Sequence, residues 1–473
     1  MICIVIKGPS FSKAKEQILE ASLEADLLEL RLDYLSFIEP SAIQELLSFS
    51  HLPFIFTLRP TLEGGLYEGT EETRLNTIFS LANLKPAYLD LEHTTPFTFI
   101  QKINFAYPKI KIILSYHKFQ NTPKDLEGLY QNLQKKPAFL YKIALWANSS
   151  IDTLQLISWA QKKENKVIAI SMGPYGELSR ILAKPITYAS LKNEEEFGQI
   201  DVKTLKQQYN YKNLNAETDF YGLIGDPISQ SISEKTHNTF IRSRHLNAVY
   251  VKIKISKEEL PFFLELCKNL PFKGFSVTMP LKETIIPYLD ELSSAAAEIG
   301  AVNTIVFKEG KKIGYNTDAP GAMNALKAIL PLEKKHVILL GSGGAAKAIA
   351  YEAKKENCLV TLLQRADLPK IANYAKIGYD ILINCTPSSL PIDPACILTK
   401  ALVMDITTKP KDTLFLTQAK EKGCAVLYGY KMFLEQAKLQ FSLWFEKKAI
   451  SLEEDLLLEK AALDSLVEEN TKS

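Results

Sequence analysis

The stretch Lys335-His-Val-Ile-Leu-Leu340 runs directly into Gly341-Ser-Gly-Gly-Ala-Ala346, and this junction decides the fold of the second half of the chain. An apolar strand that leads through Gly-x-Gly-x-x-Ala into a helix is the first half of a dinucleotide-binding unit. The helix is predicted over Lys347 to Glu356 and the next strand over Leu359 to Leu363. Glycines let the backbone approach a pyrophosphate, and the helix N-terminus offers free N–H groups. The residues predicted to bind the dinucleotide here are Gly341, Gly343, Gly344 and Ala345.

The end of the next strand indicates which dinucleotide is bound. An NAD enzyme would place an acid there to hold the ribose hydroxyls, whereas this chain reads Leu363-Gln364-Arg365. An arginine suits a 2′-phosphate, so we predict NADP as the cofactor, with Gln364 and Arg365 in contact with it. Two alternatives stay open: Arg365 is a solvated strand-end residue, or the nearby Asp367 selects NAD.

In the N-terminal half, short apolar runs alternate with helical periodicity. The eight candidate strands are Ile2 to Ile6, Leu27 to Leu32, Pro53 to Leu58, Ala87 to Leu91, Lys111 to Ser115, Phe139 to Ile143, Val167 to Ser171 and Ile186 to Ala189. Strands that alternate with helices predict parallel βαβ units, and eight of them predict a (β/α)8 barrel.

Barrels of this kind carry their chemistry at the C-terminal ends of the strands. The polar residues at those ends and on the last two loops are Glu29, Arg31, Arg59, Asp90, Glu92, His117, Lys142, Arg180 and Gln199. One charge at one strand end is unremarkable. Several that converge on one barrel mouth predict an active site.

Loss of periodicity and a shift in composition divide the chain. We predict a barrel over 1–206, a polar linker over 207–218, an α/β unit over 219–320, a dinucleotide-binding unit over 321–430 and helices over 431–473 that fold back on the second unit. Strands of the second unit are expected at Phe220 to Ile224, Ala248 to Ile253, Phe272 to Val277 and Thr304 to Phe307.

Composition limits the function classes. Lys and Arg number 56 against 54 Asp and Glu, so the net charge of +2 gives no reason to expect nucleic acid or a membrane surface as partner. The six cysteines are scattered without paired spacing, which is typical of reduced thiols in the cytoplasm. No His, Asp or Glu cluster shows the spacing of a metal site. Small-molecule substrates are therefore expected, and the sequence does not decide the oligomeric state.

The N-terminal half resembles type I 3-dehydroquinate dehydratases. The shared motifs are Ala25-Asp-Leu-Leu-Glu-Leu-Arg31, Thr57-Leu-Arg-Pro-Thr-Leu-Glu-Gly-Gly65, Ser115-Tyr-His117, Tyr141-Lys-Ile-Ala144, Ser171-Met-Gly173 and Ser179-Arg180. The resemblance implies a Schiff base on Lys142, proton transfer by His117, and Glu63 as the carboxylate that orients His117. It also implies that Arg180 holds the substrate carboxylate, with hydroxyl contacts from Glu29, Arg31, Arg59 and Gln199. One departure is Glu195-Glu-Phe-Gly-Gln199 where the family usually shows Ser-Ala-Pro-Gly-Gln.

Residues 219 to 445 resemble shikimate dehydrogenases. The motifs are Phe220 to Asn238 with Ser231 and Ser233, Gly274-Phe-Ser-Val-Thr-Met-Pro-Leu-Lys282, Gly300-Ala-Val-Asn-Thr304 and Asn316-Thr-Asp318, followed by Gly429 and Gln436. The resemblance implies Lys282 and Asp318 as the catalytic pair, and Gly429 beside the cofactor. It implies that the substrate is held by Ser231, Ser233, Thr278, Asn303 and Gln436. The departures are Ser276 for Asn, Ala319 for Gly, Thr408 for Tyr, and Gln364 and Ala366 in the cofactor motif.

Together the two resemblances imply an enzyme with two consecutive reactions, dehydration of 3-dehydroquinate and NADPH-dependent reduction of 3-dehydroshikimate. Passage of the intermediate between the two sites is a hypothesis that this order suggests. Two alternatives remain, namely an NAD-dependent quinate or shikimate dehydrogenase in the second half, and a non-catalytic descendant that binds metabolites. The non-catalytic alternative is disfavoured because Lys142, His117, Lys282 and Asp318 are all retained. His237 is interpreted as a packing or capping residue rather than a catalyst.

Overall fold

The computed structural model describes residues 1–182, 184–192, 198–445 and 449–467. The chain divides into two compact units, Met1–Asn213 and Leu214–Ser473. The division falls inside the predicted linker 207–218. Residues before it belong to the first unit because Tyr209 and Tyr211 bury their rings there. No helix among the described residues is long and apolar enough to cross a membrane.

The first unit is built on eight parallel strands. They are β1 Ile2–Ile6, β2 Leu27–Arg31, β3 Phe54–Thr57, β4 Tyr88–Glu92, β5 Lys111–Lys118, β6 Leu140–Trp146, β7 Val167–Met172 and β8 Thr187–Ala189. Their hydrogen-bonded order is β7-β6-β5-β4-β3-β2-β1-β8, so each strand follows its sequence neighbour and β8 returns to β1. The predicted barrel is confirmed, and each predicted strand is present within a few residues of its expected ends.

Helices connect the strands. They are α1 Phe11–Ser22, α2 Pro40–Leu47, α3 Glu71–Leu81, α4 Phe97–Ala106, α5 Leu126–Gln134, α6 Ser150–Ala160, α7 Glu177–Leu182 and α8 Val202–Gln207. Several begin at a side chain that accepts a backbone N–H of the first turn, as Ser10, Thr70 and Ser149 do. Such caps satisfy N–H groups that have no partner within the helix.

Period-two alternation along the strands explains where the polar residues meet. Leu27, Ile55, Tyr88, Ile113 and Leu140 belong to one apolar cluster of buried residues. The residue two positions further on each strand points to the same face. These next residues are Glu29, Thr57, Asp90, Ser115 and Lys142. The apolar cluster is therefore overlaid by a layer of polar side chains closer to the C-terminal ends of the strands.

The second unit begins with a mixed six-stranded sheet. Its strands are β9 Asp219–Gly225, β10 Ala248–Lys254, β11 Phe272–Val277, β12 Glu291–Leu292, β13 Thr304–Lys308 and β14 Lys311–Tyr315, in the order β10-β9-β11-β13-β14-β12. Strands β9, β10 and β11 are parallel, and β13 is antiparallel to both of its neighbours. The helices are α9 Ser233–Ser243, α10 Leu260–Cys267, α11 Leu281–Thr284 and α12 Ser294–Ile299.

A parallel five-stranded sheet follows, as a dinucleotide-binding unit requires. Its strands are β15 His336–Leu340, β16 Leu359–Leu363, β17 Ile381–Asn384, β18 Leu402–Asp405 and β19 Ala425–Leu427, in the order β16-β15-β17-β18-β19. Its helices are α13 Asp318–Lys327, α14 Gly344–Lys355, α15 Ile371–Ile377 and α16 Leu414–Glu421.

Two long helices complete the second unit, α17 Gly429–Trp444 and α18 Leu452–Val467. Leu434, Phe441 and Trp444 of α17 share a buried cluster with Tyr221 of β9 and Phe240 of α9. The Phe240 and Phe441 rings stack at 3.9 Å between centroids. The tail is thus anchored on the six-stranded sheet by aromatic packing.

Candidate active sites

The barrel mouth holds a buried network of charges around Asp90. Lys142 Nζ donates to Asp90 Oδ2 at 3.0 Å and lies 3.7 Å from Glu29 Oε1. Arg59 Nη2 lies 3.0 Å from Asp90 Oδ1, and the Ser115 hydroxyl donates to the same oxygen at 2.6 Å. Burial by itself raises the pKa of Asp90, but Arg59 and Lys142 outweigh it and hold that pKa well below its ordinary value. Asp90 is therefore the anion that links both buried cations.

Arg59 is held on its other side by Glu92. Arg59 Nη1 donates to Glu92 Oε1 at 3.0 Å and to Ser115 Oγ at 2.8 Å. Arg74 Nη1 of α3 lies 2.5 Å from Glu92 Oε2. Burial opposes the charge on Arg59, yet Asp90 and Glu92 raise the pKa of its guanidinium above the ordinary value. Every charge in this network thus has a partner of opposite sign.

His117 and Glu63 lie beside this network. His117 Nδ1 is 3.4 Å from Glu63 Oε2. Burial, followed by the positive charges of Arg59 and Lys142, lowers the pKa of His117 well below its ordinary value. Burial raises the pKa of Glu63 to about 7 against the opposing effect of Arg59, and Glu92 adds to the rise. A neutral imidazole is the form suited to accept a proton.

Two of the predicted binding residues are already engaged by protein groups. Glu29 is buried and accepts a hydrogen bond from the Thr57 hydroxyl at 2.7 Å. Arg31 makes a two-pronged contact with Asp33, with distances of 2.9 and 2.7 Å. A ligand hydroxyl would have to share these groups rather than find them free.

Arg180 differs from the other buried cations. Its side chain is on α7 and only 3% of the residue is exposed, yet its Nε and Nη1 have no hydrogen-bond partner among the described residues. Burial lowers the pKa of its guanidinium to about 10. Gln199 Oε1 and the Tyr188 hydroxyl are likewise buried and unpartnered in the part of the chain described. Buried guanidinium N–H groups without a protein partner are able to donate to an external anion such as a carboxylate.

Sequence reasoning assigned part of this site and missed the rest. Asp90 and Glu92 were recognised at a strand end without a role, and the structure places both at the centre of the network. His93 was missed, although it follows Glu92 directly and its Nδ1 lies 3.4 Å from Glu63 Oε1. The departure expected at Glu195 lies outside the described residues.

The second unit brings Lys282 and Asp318 together. Lys282 stands in α11, Asp318 is the first residue of α13, and Lys282 Nζ donates to Asp318 Oδ2 at 2.6 Å. The two lie 36 residues apart, so only the fold makes them neighbours. The pair forms a partly exposed ammonium–carboxylate contact.

An amide network lies next to this pair. Asn303 Nδ2 donates to Thr317 Oγ1 at 2.9 Å and to Gln436 Oε1 of α17 at 3.3 Å. Asn303 Oδ1 accepts from the backbone N–H of Thr317 at 2.7 Å. Because Asp318 follows Thr317, this network fixes the start of α13 and with it the carboxylate.

The two serines lie at the start of α9. The Ser231 hydroxyl donates to Ser233 Oγ at 2.9 Å, and Ser231 Oγ accepts the backbone N–H of Ser233 at 3.2 Å. Thr278 follows β11 and is tied to β9, since its backbone N–H donates to the Ile224 carbonyl at 2.9 Å. The predicted polar groups of this half therefore come from α9, the end of β11, the start of α13 and α17.

His237 is part of the packing below the serines, as interpreted. Its Nδ1 lies 2.8 Å from the Ser233 carbonyl, its Nε2 lies 3.1 Å from Gln440 Oε1, and its ring stacks on Tyr250 at 4.1 Å. Burial lowers its pKa to about 4. It is therefore neutral at physiological pH.

The departures in this half have distinct surroundings. Ser276 accepts a hydrogen bond from the Tyr250 hydroxyl at 2.8 Å and donates to Gln440 at 3.0 Å, so it is a buried structural link. Ala319 is fully buried in a small apolar cluster. Thr408 lies half-buried just after β18.

The glycine-rich loop leads from β15 into α14. Gly341 has φ of +114°, a conformation that side chains rarely adopt. A Cβ on Gly343 would meet nothing within 4 Å, and one on Gly344 would lie 3.9 Å from Lys282 Cδ. Ala345 is half-buried in the first turn of the helix. The loop is thus open toward solvent at Gly343 and adjoins Lys282 of α11.

Gln364 and Arg365 are exposed at the end of β16, the strand that pairs with β15. Asp367 is engaged by Lys370, whose Nζ donates to it at 2.6 Å. Gly429 begins α17, and a Cβ there would lie 2.3 Å from the Thr407 carbonyl oxygen. Close backbone packing therefore accounts for this glycine.

Comparisons with known proteins follow this division of the chain. Residues 2–216 match the family model of type I 3-dehydroquinase, and residues 223–305 match that of the shikimate dehydrogenase substrate binding domain. The Shikimate biosynthesis protein AroDE of Chlamydia pneumoniae is 34% identical over 469 residues, which cover 94% of this chain and 95% of that protein. The chain belongs to the bifunctional 3-dehydroquinate dehydratase and shikimate dehydrogenase family.

Other relatives agree with this assignment. The chloroplastic Bifunctional 3-dehydroquinate dehydratase/shikimate dehydrogenase of Arabidopsis thaliana is 33% identical, with 94% of this chain and 82% of that protein covered. The Shikimate dehydrogenase (NADP(+)) of Pyrococcus furiosus is 38% identical over 249 residues, 49% of this chain and 92% of that protein. The predicted family and the predicted pairing of a lyase with an oxidoreductase are confirmed.

Proposed function

We propose that the barrel dehydrates 3-dehydroquinate to 3-dehydroshikimate and that the second unit reduces this product to shikimate with NADPH. The observation that carries the first half is Lys142, the one lysine that is buried in the part of the chain that the structure describes, with 6% exposed. A buried lysine within reach of a neutral histidine and a network of carboxylates is suited to covalent chemistry on a ketone.

In the barrel, the Lys142 ammonium passes one proton to a neighbouring carboxylate and its amine adds to the substrate ketone. The adduct takes this proton back as its hydroxyl leaves as water, and an iminium ion forms. The iminium draws electrons from the neighbouring carbon, whose proton His117 removes. His117 then returns this proton to the departing hydroxyl, which leaves as water, and hydrolysis of the iminium frees the product and Lys142. One histidine can serve both steps because its neutral form accepts a proton and its charged form donates one.

The other barrel residues bind and orient. We assign the substrate carboxylate to Arg180, because its Nε and Nη1 are buried donors without a partner among the described residues. A guanidinium offers two parallel N–H groups that match a carboxylate. Glu63 orients His117, and hydroxyl contacts are assigned to Glu29, Arg31, Arg59 and Gln199.

In the second unit, reduction of a ketone creates an alkoxide that needs a proton donor. Lys282 is assigned this role because its ammonium is held by Asp318 at 2.6 Å and adjoins the glycine-rich loop. Ser231 and Ser233 are assigned to the substrate carboxylate, and Thr278, Asn303 and Gln436 to ring hydroxyls. The hydrogen bonds already linking Asn303 and Gln436 fix their orientation before substrate arrives.

The donors at the glycine-rich loop fit a dinucleotide phosphate. The start of α14 presents N–H groups that have no partner within the helix, and the open space at Gly343 leaves room for a phosphate beside them. NADPH, when bound, supplies the hydride. NADP is favoured over NAD because Arg365 is exposed and free to meet a 2′-phosphate, while Asp367 is already paired with Lys370.

We also propose the division into a barrel over 1–206, a linker over 207–218, a substrate domain over 219–320, a cofactor domain over 321–430 and terminal helices over 431–473. It is supported by the unit boundary at Asn213 and by the change of sheet between β14 and β15. The chain is proposed to act in the cytoplasm on small molecules, in line with six cysteines that are all unpaired.

A coupled assay tests both halves. Purified protein is given 3-dehydroquinate and NADPH, and loss of nicotinamide absorbance is followed, with Lys142→Ala and Lys282→Ala as parallel variants. We expect the wild type to consume NADPH, Lys142→Ala to do so only when 3-dehydroshikimate is added, and Lys282→Ala to be inactive with either compound. A wild type that binds 3-dehydroshikimate but never consumes NADPH or NADH would instead be a metabolite-binding protein in its second half.

A further inference from the structure

His93 faces the same carboxylate as the proposed base. Its Nδ1 lies 3.4 Å from Glu63 Oε1, while His117 Nδ1 lies 3.4 Å from Glu63 Oε2. Each oxygen of one carboxylate therefore meets the same atom of a different imidazole. The two histidines come from neighbouring strands, since His93 follows β4 and His117 belongs to β5.

Fixed backbone contacts hold His93 in this position. Its backbone N–H donates to the Ser115 carbonyl at 2.8 Å, and its carbonyl accepts from Lys136 Nζ at 2.5 Å. Its ring meets that of Tyr116 edge-on at 4.9 Å between centroids. Two backbone hydrogen bonds and one ring contact thus hold His93 where its Nδ1 faces Glu63.

Both Nδ1 atoms are buried and make no hydrogen bond among the described residues, and the Glu63 carboxylate oxygens at 3.4 Å are acceptors that either N–H could reach. A neutral imidazole carries its proton on one nitrogen only, and a carboxylate can only accept. With Nδ1 protonated on both rings, Glu63 accepts one N–H at each oxygen and Nε2 of His117 is left unprotonated. This is the tautomer in which His117 acts as a base through Nε2.

Burial and the charges around the three groups favour neutral imidazole rings and make Glu63 the group that titrates nearest to neutral pH. Glu63 faces Arg59, Asp90 and Glu92, and burial raises its pKa to about 7. His93 faces Lys136, and burial followed by this charge lowers its pKa below the ordinary value. The pKa of His117 is lowered further, by burial, Arg59 and Lys142, with Asp90 opposing and Arg31 adding. As pH falls, Glu63 is the first of the three to take up a proton.

We propose that His93 is a positioning residue of the dehydratase, which donates its Nδ1–H to Glu63 and keeps that carboxylate ionised and able to orient His117. The inference rests on the proposed function of the barrel. It predicts that loss of the donor raises the pKa of Glu63 and moves the acid limb of the dehydratase pH profile to higher pH.

The test compares His93→Leu with His93→Asn in the full chain. Asn replaces the Nδ1–H by an amide N–H at nearly the same place, whereas Leu has similar size and no donor. We expect His93→Leu to shift the acid limb of kcat/KM upward by roughly half a unit to one unit, the effect of one lost hydrogen bond. We expect His93→Asn to keep the acid limb at its wild-type position. In His93→Leu, kcat above pH 8 should fall less than kcat at pH 6.

A wild-type measurement does not depend on whether a variant folds. Long-range ¹H–¹⁵N NMR spectra distinguish the tautomers of the six histidines, and the His93 signals are assigned by their loss in His93→Asn. Protonation of His93 at Nδ1 is the expected result. Protonation at Nε2, or an unshifted acid limb in a His93→Leu protein that keeps its dehydrogenase rate, would overturn the proposal.

Failure of the proposed function would look different. Reduction of the iminium by borohydride in the presence of substrate should add mass to Lys142 in the wild type and in both His93 variants. Absence of this adduct in the wild type refutes the dehydratase assignment itself, while its presence together with an unshifted profile refutes only the role of His93.

Discussion

The two proposed sites hold their catalytic lysines in opposite ways. In the barrel, Lys142 pairs with Asp90, which also pairs with Arg59. The side chains of Arg59 and Asp90 are 3% and 0% exposed. Glu92 pairs with both Arg59 and Arg74. In the dehydrogenase, Lys282 and Asp318 form a pair with 21% and 11% of their side chains exposed. Buried charges are costly unless each has its partner, whereas an ion pair near solvent is worth little to stability.

The two proposed catalytic lysines therefore lie in different surroundings, one in a buried charge network and the other in a single ion pair that is less completely buried. The network is part of what holds the barrel together, because each of its buried charges depends on a partner. The single pair should contribute less to the stability of the second unit.

The largest effect is expected from removal of the central anion in the barrel. Asp90→Asn leaves Arg59 and Lys142 buried with fewer counter-charges, and breaking such a network costs about 3 to 5 kcal/mol. Asp318→Asn, the matched change in the other site, should cost about 1 kcal/mol or less. Peptide-resolved hydrogen exchange reports the free energy of opening for each unit separately, through segments in β4 to β6 and in β15 to β17. Equal losses in the two variants would contradict the comparison.

A second contrast concerns the groups that are proposed to bind the substrate carboxylate in each site. Arg180 offers buried N–H groups without partners, while Ser231 and Ser233 already bond to each other. Loss of a charged hydrogen bond costs about 1.5 to 3 kcal/mol, so Arg180→Gln should lower dehydratase kcat/KM by roughly 10- to 100-fold. Ser231→Ala should lower dehydrogenase kcat/KM by no more than about 10-fold.

Steady-state kinetics with each substrate measures both effects in one protein, since the unaltered activity is an internal control for folding. Arg180→Lys keeps the charge but loses the planar fork, and we expect it to recover only part of the activity. A fall in dehydrogenase kcat/KM for Ser231→Ala as large as the fall in dehydratase kcat/KM for Arg180→Gln would contradict this contrast.

The sequence predicts the fold well wherever apolar runs are long and regular. All eight barrel strands were predicted because each carries apolar residues with period two or a continuous apolar run. Strand β14, Lys311–Tyr315, was missed because Lys311-Lys-Ile-Gly-Tyr315 is polar and mostly only half-buried. The two-residue strand β12 is too short to leave a periodic signal.

Motifs in the sequence predicted individual site residues but not the contacts between them. Glu63, His117 and Lys142 come from three separate segments, and no spacing along the chain shows that His93 reaches the same carboxylate as His117. Nor does the sequence show that Arg31 is engaged by Asp33 while Arg180 has unpartnered nitrogens. These distinctions depend on side-chain distances that only the folded barrel sets.

The smallest effect is expected at the cofactor, where the proposed specificity residue is exposed. Arg365 meets solvent at the end of β16, so its contact with a 2′-phosphate is screened and worth about 1 kcal/mol. Arg365→Gln should therefore raise the KM for NADPH by roughly 5- to 10-fold and leave the KM for NADH unchanged.

Lys370→Gln removes the same charge five residues away and serves as the control, with Asp367 released from its partner. If Lys370→Gln alters the preference as strongly as Arg365→Gln, the preference reflects the summed positive charge of this edge. If only Arg365→Gln does so, one side chain at the strand end selects the cofactor. The second unit then relies on single, partly exposed contacts both for its cofactor and for Lys282.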